Sequence, residues 1–447
     1  FENFNSKNLS KYFSGIVAFE NKDNSQALDF FNSAKVLIDE HDPYLKRYVY
    51  SLVLDNKASQ AINIIKNMSN KGNTKFFDAH LLLILDSMKK NDFDRALIEL
   101  EKIRALPKLN RFNSAILESL EQYIFAFKEK KILKKKNNFG KLSLITETFQ
   151  RCYLNDENTD TFFLRLFNDP EADYSRYIFF YLSFLIDKKR NKEAVEIIDN
   201  LNFINTSLLV SQGKSWIENG NSQKLTKVFS CKNTNDIISE FLFLISNLYS
   251  SQDNFNQSNF YLNLSIYLNP DFIFNLSLVA ENHYSNKEFK KTKKILKNFK
   301  KDDDFYYWYR IKKEAQIIKK ERNKKDSMNY IKSEFNNLDI INNKFLFDIA
   351  NFYKNYGEYE EAIKYYTKII ESIKDDELKS DLFYRRGGSY ERMKEFKKAD
   401  LDLLAALDIK PDDAYILNYL AYSWLERNYK INEAINMLET AYSLKSN

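Results

Sequence analysis

The chain has 447 residues, more than one ordinary compact domain holds, so several domains or a repeat architecture is expected. Its apolar fraction is 44% and its aromatic fraction 15%, enough to bury a large core and to exclude wholesale disorder. The net charge of +6 is small beside 68 basic and 62 acidic residues, so bulk electrostatics do not call for a nucleic-acid partner.

Glycine (8) and proline (5) are scarce, while Lys, Leu, Ile and Glu are abundant, which favours helix throughout. The Asn and Lys enrichment matches the codon bias of an AT-rich genome and carries no functional weight. Laid end to end, short segments repeat. A small residue recurs at Ala27, Ala61 and Ala96, at intervals of 34 and 35. The phase is poorer in the middle, with one clear unit at Ala194 and a weaker one at Leu225. It returns at Ser258, Thr292, Ser327, Ala362, Ala399 and Ala434, at intervals of 34, 35, 35, 37 and 35. A period near 34 sustained this long means an array of units, none of which buries its own apolar face.

The stretch from Ala350 to Ile370 shows the physics of one unit. Leu346, Ile349, Ala350 and Tyr353 fall on one face of a first helix, and Ala362, Ile363, Tyr366 and Ile369 on one face of a second. Gly357 between them admits the positive φ of a helix end. Ala350 and Ala362 let the two axes approach closely, and Tyr353, Tyr359 and Tyr366 fill the flanking space.

These residues resemble the tetratricopeptide repeat (TPR), a pair of antiparallel helices with small and large apolar residues in fixed order. Further matches are Phe383, Gly387 and Tyr390 with Ala399, Leu403, Ala406 and Pro411; Leu417, Leu420, Ala421 and Trp424 with Ala434, Leu438 and Ala441; Gly15 with Ala27, Phe31 and Ala34; and Ser246, Tyr249, Leu262 and Pro270. Arg386 stands where Leu is usual and His283 where an aromatic is usual. The resemblance implies an all-α TPR solenoid, a right-handed superhelix of about ten to twelve helix pairs. By repeat regularity it divides into N-terminal repeats over 1–105, irregular helical repeats over 106–235, and C-terminal repeats over 236–447 that stop before a capping repeat. An exposed terminal repeat would leave apolar surface for self-association.

Narrower likenesses exist at both ends. The run over 414–447 resembles the C-terminal unit of proteobacterial envelope TPR proteins, some of them outer-membrane lipoproteins that serve as adaptors for periplasmic proteases or cell-wall enzymes. The run over 12–31 resembles the first repeat of alphaproteobacterial members. This implies a periplasmic or outer-membrane-associated protein, with the cytoplasm as the alternative. The chain begins at Phe1, which fits removal of a signal peptide or trimming. No lipidation cysteine lies near Phe1, so the residues give no support for a lipid anchor. The longest apolar runs are too short to span a bilayer.

Catalytic spacing is absent: there is no phosphate-binding G-x-x-x-x-G-K-[ST], no G-x-G-x-x-G and no H-E-x-x-H. No cofactor is expected. His41, His80 and His283 read as ordinary surface or interface residues. Cys152 and Cys231, 79 residues apart, read as two buried apolar thiols and not as a disulfide framework. Gly387 and Gly388 read as helix-packing positions. A catalytic site grafted onto 106–235 is the enzymatic alternative.

The function implied is a non-enzymatic scaffold or adaptor that holds a partner peptide or helix in the concave face. First-helix residues that avoid the core point there: Asn247, Glu281, Lys312, Gln316, Asn351, Lys354, Tyr384, Tyr422 and Leu425. The clamp with which some TPR domains grip a C-terminal carboxylate is not supported, because Phe347 replaces the Lys expected before Asn351, and Lys312 is followed by Gln316. The alternative is an anionic polymer, nucleic acid or surface polysaccharide, bound by the lysine-rich runs over 128–141 and 287–301; the balancing view is that these coat outward helices. If the crossing at Ala362 is tight, Ala362→Leu should cost about 1–3 kcal/mol; a melting transition that stays put would remove that placement.

Overall fold

The computed structural model describes residues 6–39, 41–69, 74–107, 109–133, 137–168 and 175–445. Among them are 25 α-helices and no strand, so the fold is the expected all-α solenoid of helix pairs. The N-terminal pairs are α1 (Ser6–Glu20) with α2 (Asn24–Ser33), α3 (Asp42–Leu54) with α4 (Ala58–Met68), and α5 (Phe77–Lys89) with α6 (Phe93–Arg104). The less regular middle holds α7 (Arg111–Glu129), α8 (Lys141–Leu154), α9 (Thr159–Phe167), α10 (Arg176–Asp187), α11 (Asn191–Asp199), α12 (Leu208–Glu218) and α13 (Gln223–Val228). Regular pairing resumes with α14 (Thr234–Ser250) and α15 (Phe255–Leu268), α16 (Leu276–Ser285) and α17 (Phe289–Leu296), and α18 (Asp304–Glu321) and α19 (Lys324–Asn336). It ends with α20 (Asn343–Asn355) and α21 (Tyr359–Ser372), α22 (Asp376–Arg392) and α23 (Phe396–Ile409), and α24 (Ala414–Glu426) and α25 (Ile431–Lys445).

Most turns between the regular pairs use the same chemistry, α18–α19 being an exception with no left-handed residue. Gly357 takes φ +76°, and its neighbour's amide, Glu358 N–H, reaches back to the Tyr353 carbonyl at 2.9 Å. That six-residue bond satisfies a carbonyl the helix end would leave open. Elsewhere a non-glycine holds the left-handed position: Lys22, Asn56, Asn91, Asp253, Lys287 and Lys394 all have positive φ. Each stands five residues before a recurring small residue, and Ala27, Ala61, Ala96, Ser258, Thr292, Ala362 and Ala399 are fully buried. The crossings are close. A Cβ on Gly15 would come within 2.5 Å of the Phe31 ring. Where Ser replaces Ala the hydroxyl finds a partner across the pair: Ser246 and Ser258 Oγ atoms lie 2.8 Å apart, and Ser327 Oγ donates to the Ala315 carbonyl at 2.6 Å. Arg386, unusual at its position, is matched by Asp402 through two bonds of 2.8 Å and by Thr367 at 2.9 Å.

The chain forms two compact units, 1–199 with 207–310, and 200–206 with 311–447, so the border falls within α18. Compactness and repeat regularity therefore divide the sequence at different places. In the first unit, α15 packs on α3 and α4, and α14 on α5 and α8. Phe260 stacks on Tyr50 at 4.8 Å, and Asn263 Nδ2 donates to the carbonyls of Val53 at 2.8 Å and Leu54 at 3.1 Å. Residues more than 200 positions apart thus share one core. In the second unit α20 to α25 stack in order, with Leu403, Leu420, Ala421, Trp424 and Ala434 in the last core cluster.

One expectation is corrected. Cys152 and Cys231 are buried, but they are joined as a disulfide, with Cα atoms 5.6 Å apart. The packing of α8 and α10 on the 229–233 segment brings them together: Phe229 lies 5.8 Å from Phe149 and 4.5 Å from Phe180. No local pattern foretells a contact made by that packing. Closing so long a loop restricts the unfolded chain, so the Cys152→Ser/Cys231→Ser double variant should lose about 2–5 kcal/mol. Amide exchange of α8 and α13 reads this directly; unchanged protection there would show the crosslink constrains nothing.

Candidate functional site

The inner face of the N-terminal repeats is not an open groove. Helices α14 and α15 of the same unit cover α3 and α5, with Tyr50 Oη donating to Gln257 at 2.9 Å and Lys89 to the Tyr267 carbonyl. Two of the expected groove residues belong to this unit. Asn247 is exposed on α14, at the rim of a cavity of about 670 Å³ walled by Phe112, Phe139, Leu142 and Leu248. Glu281 on α16 accepts a hydrogen bond from Tyr309 Oη at 2.7 Å.

The other seven residues lie in the second unit, on the first helices of successive pairs. Lys312 on α18 pairs with Asp348 of α20 at 2.5 Å, and Lys344 approaches the same carboxylate at 3.8 Å. Gln316 is half-buried on α18. Asn351 accepts from Tyr366 Oη at 2.7 Å, so its amide is held by the second helix of its own pair. Tyr384 meets Tyr419 edge to face at 5.6 Å. Leu425 packs against the last core cluster, and Tyr422 stands 56% exposed. Around Tyr422 is a cavity of about 590 Å³ lined by Tyr415, Asn418, Leu438, Tyr442 and Lys445. Tyr422 is therefore exposed, whereas Leu425 and Tyr384, expected to avoid the core, pack against the last core cluster, and Asn351 and Lys312 are engaged within the chain.

Lys354 is the outlier. It is half-buried, makes no hydrogen bond or ion pair among the described residues, and is held down to about 8 by burial and by the positive charges of Arg385 and Arg392. Residues missed by spacing stand around it. Arg385 lies over the Phe347 ring at 5.0 Å, and its Nε is buried without a hydrogen-bond partner. Both members of the glycine pair are buried and closely packed, as expected. A Cβ on Gly387 would meet Leu403 Cγ at 3.0 Å, which is helix packing. A Cβ on Gly388 would instead meet Tyr419 Oη at 3.3 Å and Lys354 Nζ at 3.8 Å.

Among the described residues no group of three or more His, Cys, Asp or Glu is placed to hold a metal ion, and no helix is long and apolar enough to cross a membrane. His80 is buried against Glu99 at 2.8 Å, and His283 sits 2.6 Å from Glu288. In the run over 287–301, Lys287, Lys290, Lys294, Lys297, Lys300 and Lys301 are exposed, and Lys291 pairs with Glu288 at 2.5 Å. In the run over 128–141, Lys128 bonds Asp94 at 2.7 Å and Lys130 bonds Tyr153; Lys134, Lys135 and Lys136 lie outside the described residues.

Comparison with known proteins agrees with the repeat reading. The tetratricopeptide repeat family matches residues 239–272, 344–376 and 380–413. No curated protein sequence matches the chain. Among solved structures, Cut9 in the APC/C hetero-tetramer Cut9–Hcn1 is similar over 98% of this chain and 87% of that one, at 14% identity and a TM-score of 0.35. Yeast Tom70 is similar over 98% and 92%, at 13% identity and a TM-score of 0.29. The matched segments fall on helix pairs α14–α15, α20–α21 and α22–α23.

Proposed function

We propose that this chain is a non-enzymatic scaffold or adaptor that binds a partner polypeptide, in extended or helical form, on the first-helix face of its second unit. TPR proteins in general are protein-interaction scaffolds. The observation that supports the reading is the cavity beside Tyr422, walled by α24 and α25, where Tyr415 and Tyr442 are 65% and 77% exposed next to Asn418. Rigid aromatics supply contact area at low entropic cost, and an amide can bond a peptide backbone. The first unit acts as the body of the scaffold, since its own helices cover the equivalent face. A photo-crosslinker at Tyr422 should capture a partner in native cells, and Tyr384→Ala with Tyr422→Ala should weaken that partner's binding about tenfold or more. A partner that binds those variants as tightly as the parent chain would remove the groove assignment.

The proposed setting is an oxidising compartment, in keeping with the envelope resemblance and a periplasmic or outer-membrane-associated adaptor. The Cys152–Cys231 bond supports it, because cytosolic reductants keep such thiols reduced. Thiol trapping in intact cells should find both cysteines blocked before reductant is added; free thiols in the native cell would place the chain in the cytoplasm.

A further inference from the structure

The return of α14 and α15 onto the N-terminal repeats leaves one opening. A cavity of about 580 Å³ lies where α1, α3 and the residues leading into α5 meet the first turn of α15. Pro43, Lys46, Arg47 and Tyr50 supply one wall. They stand at i, i+3, i+4 and i+7 on α3 and so share one face of that helix. Phe19 of α1, Lys75 and Phe76 ahead of α5, and Asn256 of α15 complete the lining. Three aromatic rings, three cations and an amide thus surround one space, and no carboxylate lines it among the described residues.

The walls are braced, and their charges are left over. Tyr50 stacks on Phe260 at 4.8 Å, meets Phe19 edge to face at 5.8 Å and donates its hydroxyl to Gln257, so this ring is fixed. Phe76 is half-buried and has no aromatic neighbour among the described residues. Arg47 Nη1 donates to Tyr12 Oη at 2.8 Å, which leaves the rest of the guanidinium fork without a partner there. Lys46 and Lys75 are exposed and make no hydrogen bond or ion pair among the described residues. Asp78 of α5 is within electrostatic reach of Lys46, but it forms no ion pair with it and does not line the cavity. Lys66, Lys90 and Lys102 of the same repeats, in contrast, each have a carboxylate within 2.8 Å.

We propose that this cavity binds a nucleoside phosphate, with its base among Phe19, Tyr50 and Phe76 and its phosphate at Lys46, Arg47 and Lys75. A phosphate monoester carries about −1.5 to −2 charges at neutral pH and answers three cations better than a single carboxylate does. Aromatic side chains hold a base by its face, and the Asn256 amide offers a donor and an acceptor to its edge. The volume falls in the range of small-molecule sites, and walls converging from four segments of chain suit a compact ligand. The site lies in the first unit and is independent of polypeptide binding by the second.

The test uses the full chain with its disulfide intact. The probes are the four ribonucleoside 5′-monophosphates, their nucleosides, ribose 5-phosphate and N-acetyl-phosphotyrosine amide. By titration calorimetry, the tightest monophosphate should bind about tenfold or more tightly than its nucleoside and than ribose 5-phosphate, each of which lacks half of the contact. Lys46→Gln with Lys75→Gln should lower its affinity to that of the nucleoside. Phe76→Leu, which keeps apolar bulk and loses the flat face, should lower it toward that of ribose 5-phosphate. Lys364→Gln, a change of an exposed lysine on α21, should leave it intact. A second readout needs no variant: an azido-base analogue of that monophosphate, on irradiation, should label peptides that hold Phe19, Tyr50 or Phe76. Labelling confined to other peptides overturns the proposal. So does a monophosphate that binds no better than its nucleoside or than ribose 5-phosphate, or the failure of all four monophosphates to bind. Binding of the phosphotyrosine amide in their place also overturns it and assigns the cavity to a phosphorylated peptide.

Discussion

The architecture hangs on one contact repeated along the chain, the close crossing of two paired helices at a residue too small to hold them apart. Ala27, Ala61, Ala96, Ala362, Ala399 and Ala434 have no exposed surface, and the ring of Phe31 occupies the room that a Cβ on Gly15 would need. A larger residue there would have to displace the partner helix, because packed interiors do not compress. Once the crossing is fixed, the turn has little freedom. The left-handed residue at its apex and the six-residue bond that follows are the ways the backbone closes so short a connection. Serine is tolerated at the crossing only with its hydroxyl bonded to the facing helix, as at Ser258 and Ser327.

An array built this way has an inner face, and the two units treat it differently. In the first unit the chain returns on itself, so that Phe260 and Asn263 meet Tyr50 and Val53 across more than 200 residues of sequence. The half-buried Tyr50 stacks on the buried Phe260, and the Asn263 bonds hold the same contact. Much of the aromatic content is consumed in this closure, around Phe149, Phe180 and Phe229 as well as Tyr50. The disulfide between Cys152 and Cys231 ties the same region, where the repeat is least regular and the helices least able to hold one another by periodic packing alone.

The second unit keeps charge on its corresponding helices, and its cations fall into two kinds. Arg386 is bound by Asp402 and Thr367, and Lys312 by Asp348. Each has an acid that offsets its desolvation. Arg385, one residue before Arg386, faces the other way and has only an aromatic ring. Adjacent residues on a helix diverge by about 100°, so neighbours in sequence can serve the core and the groove.

The repeat, the helical class and the small-residue crossings were legible in the sequence, because each depends on residues within about 34 positions and on helix geometry that is the same everywhere. Gly357 and Ala362 behave as their spacing requires. Three things were decided only by the tertiary structure: the return of α14 and α15 onto the N-terminal repeats, the joining of Cys152 to Cys231, and the isolation of Lys354 and Arg385. All three turn on which distant surfaces meet. A periodic pattern states that a face is apolar or charged, but not which other face will cover it or whether an opposite charge will arrive. Those outcomes follow from the summed small rotations between successive pairs, which no single repeat encodes.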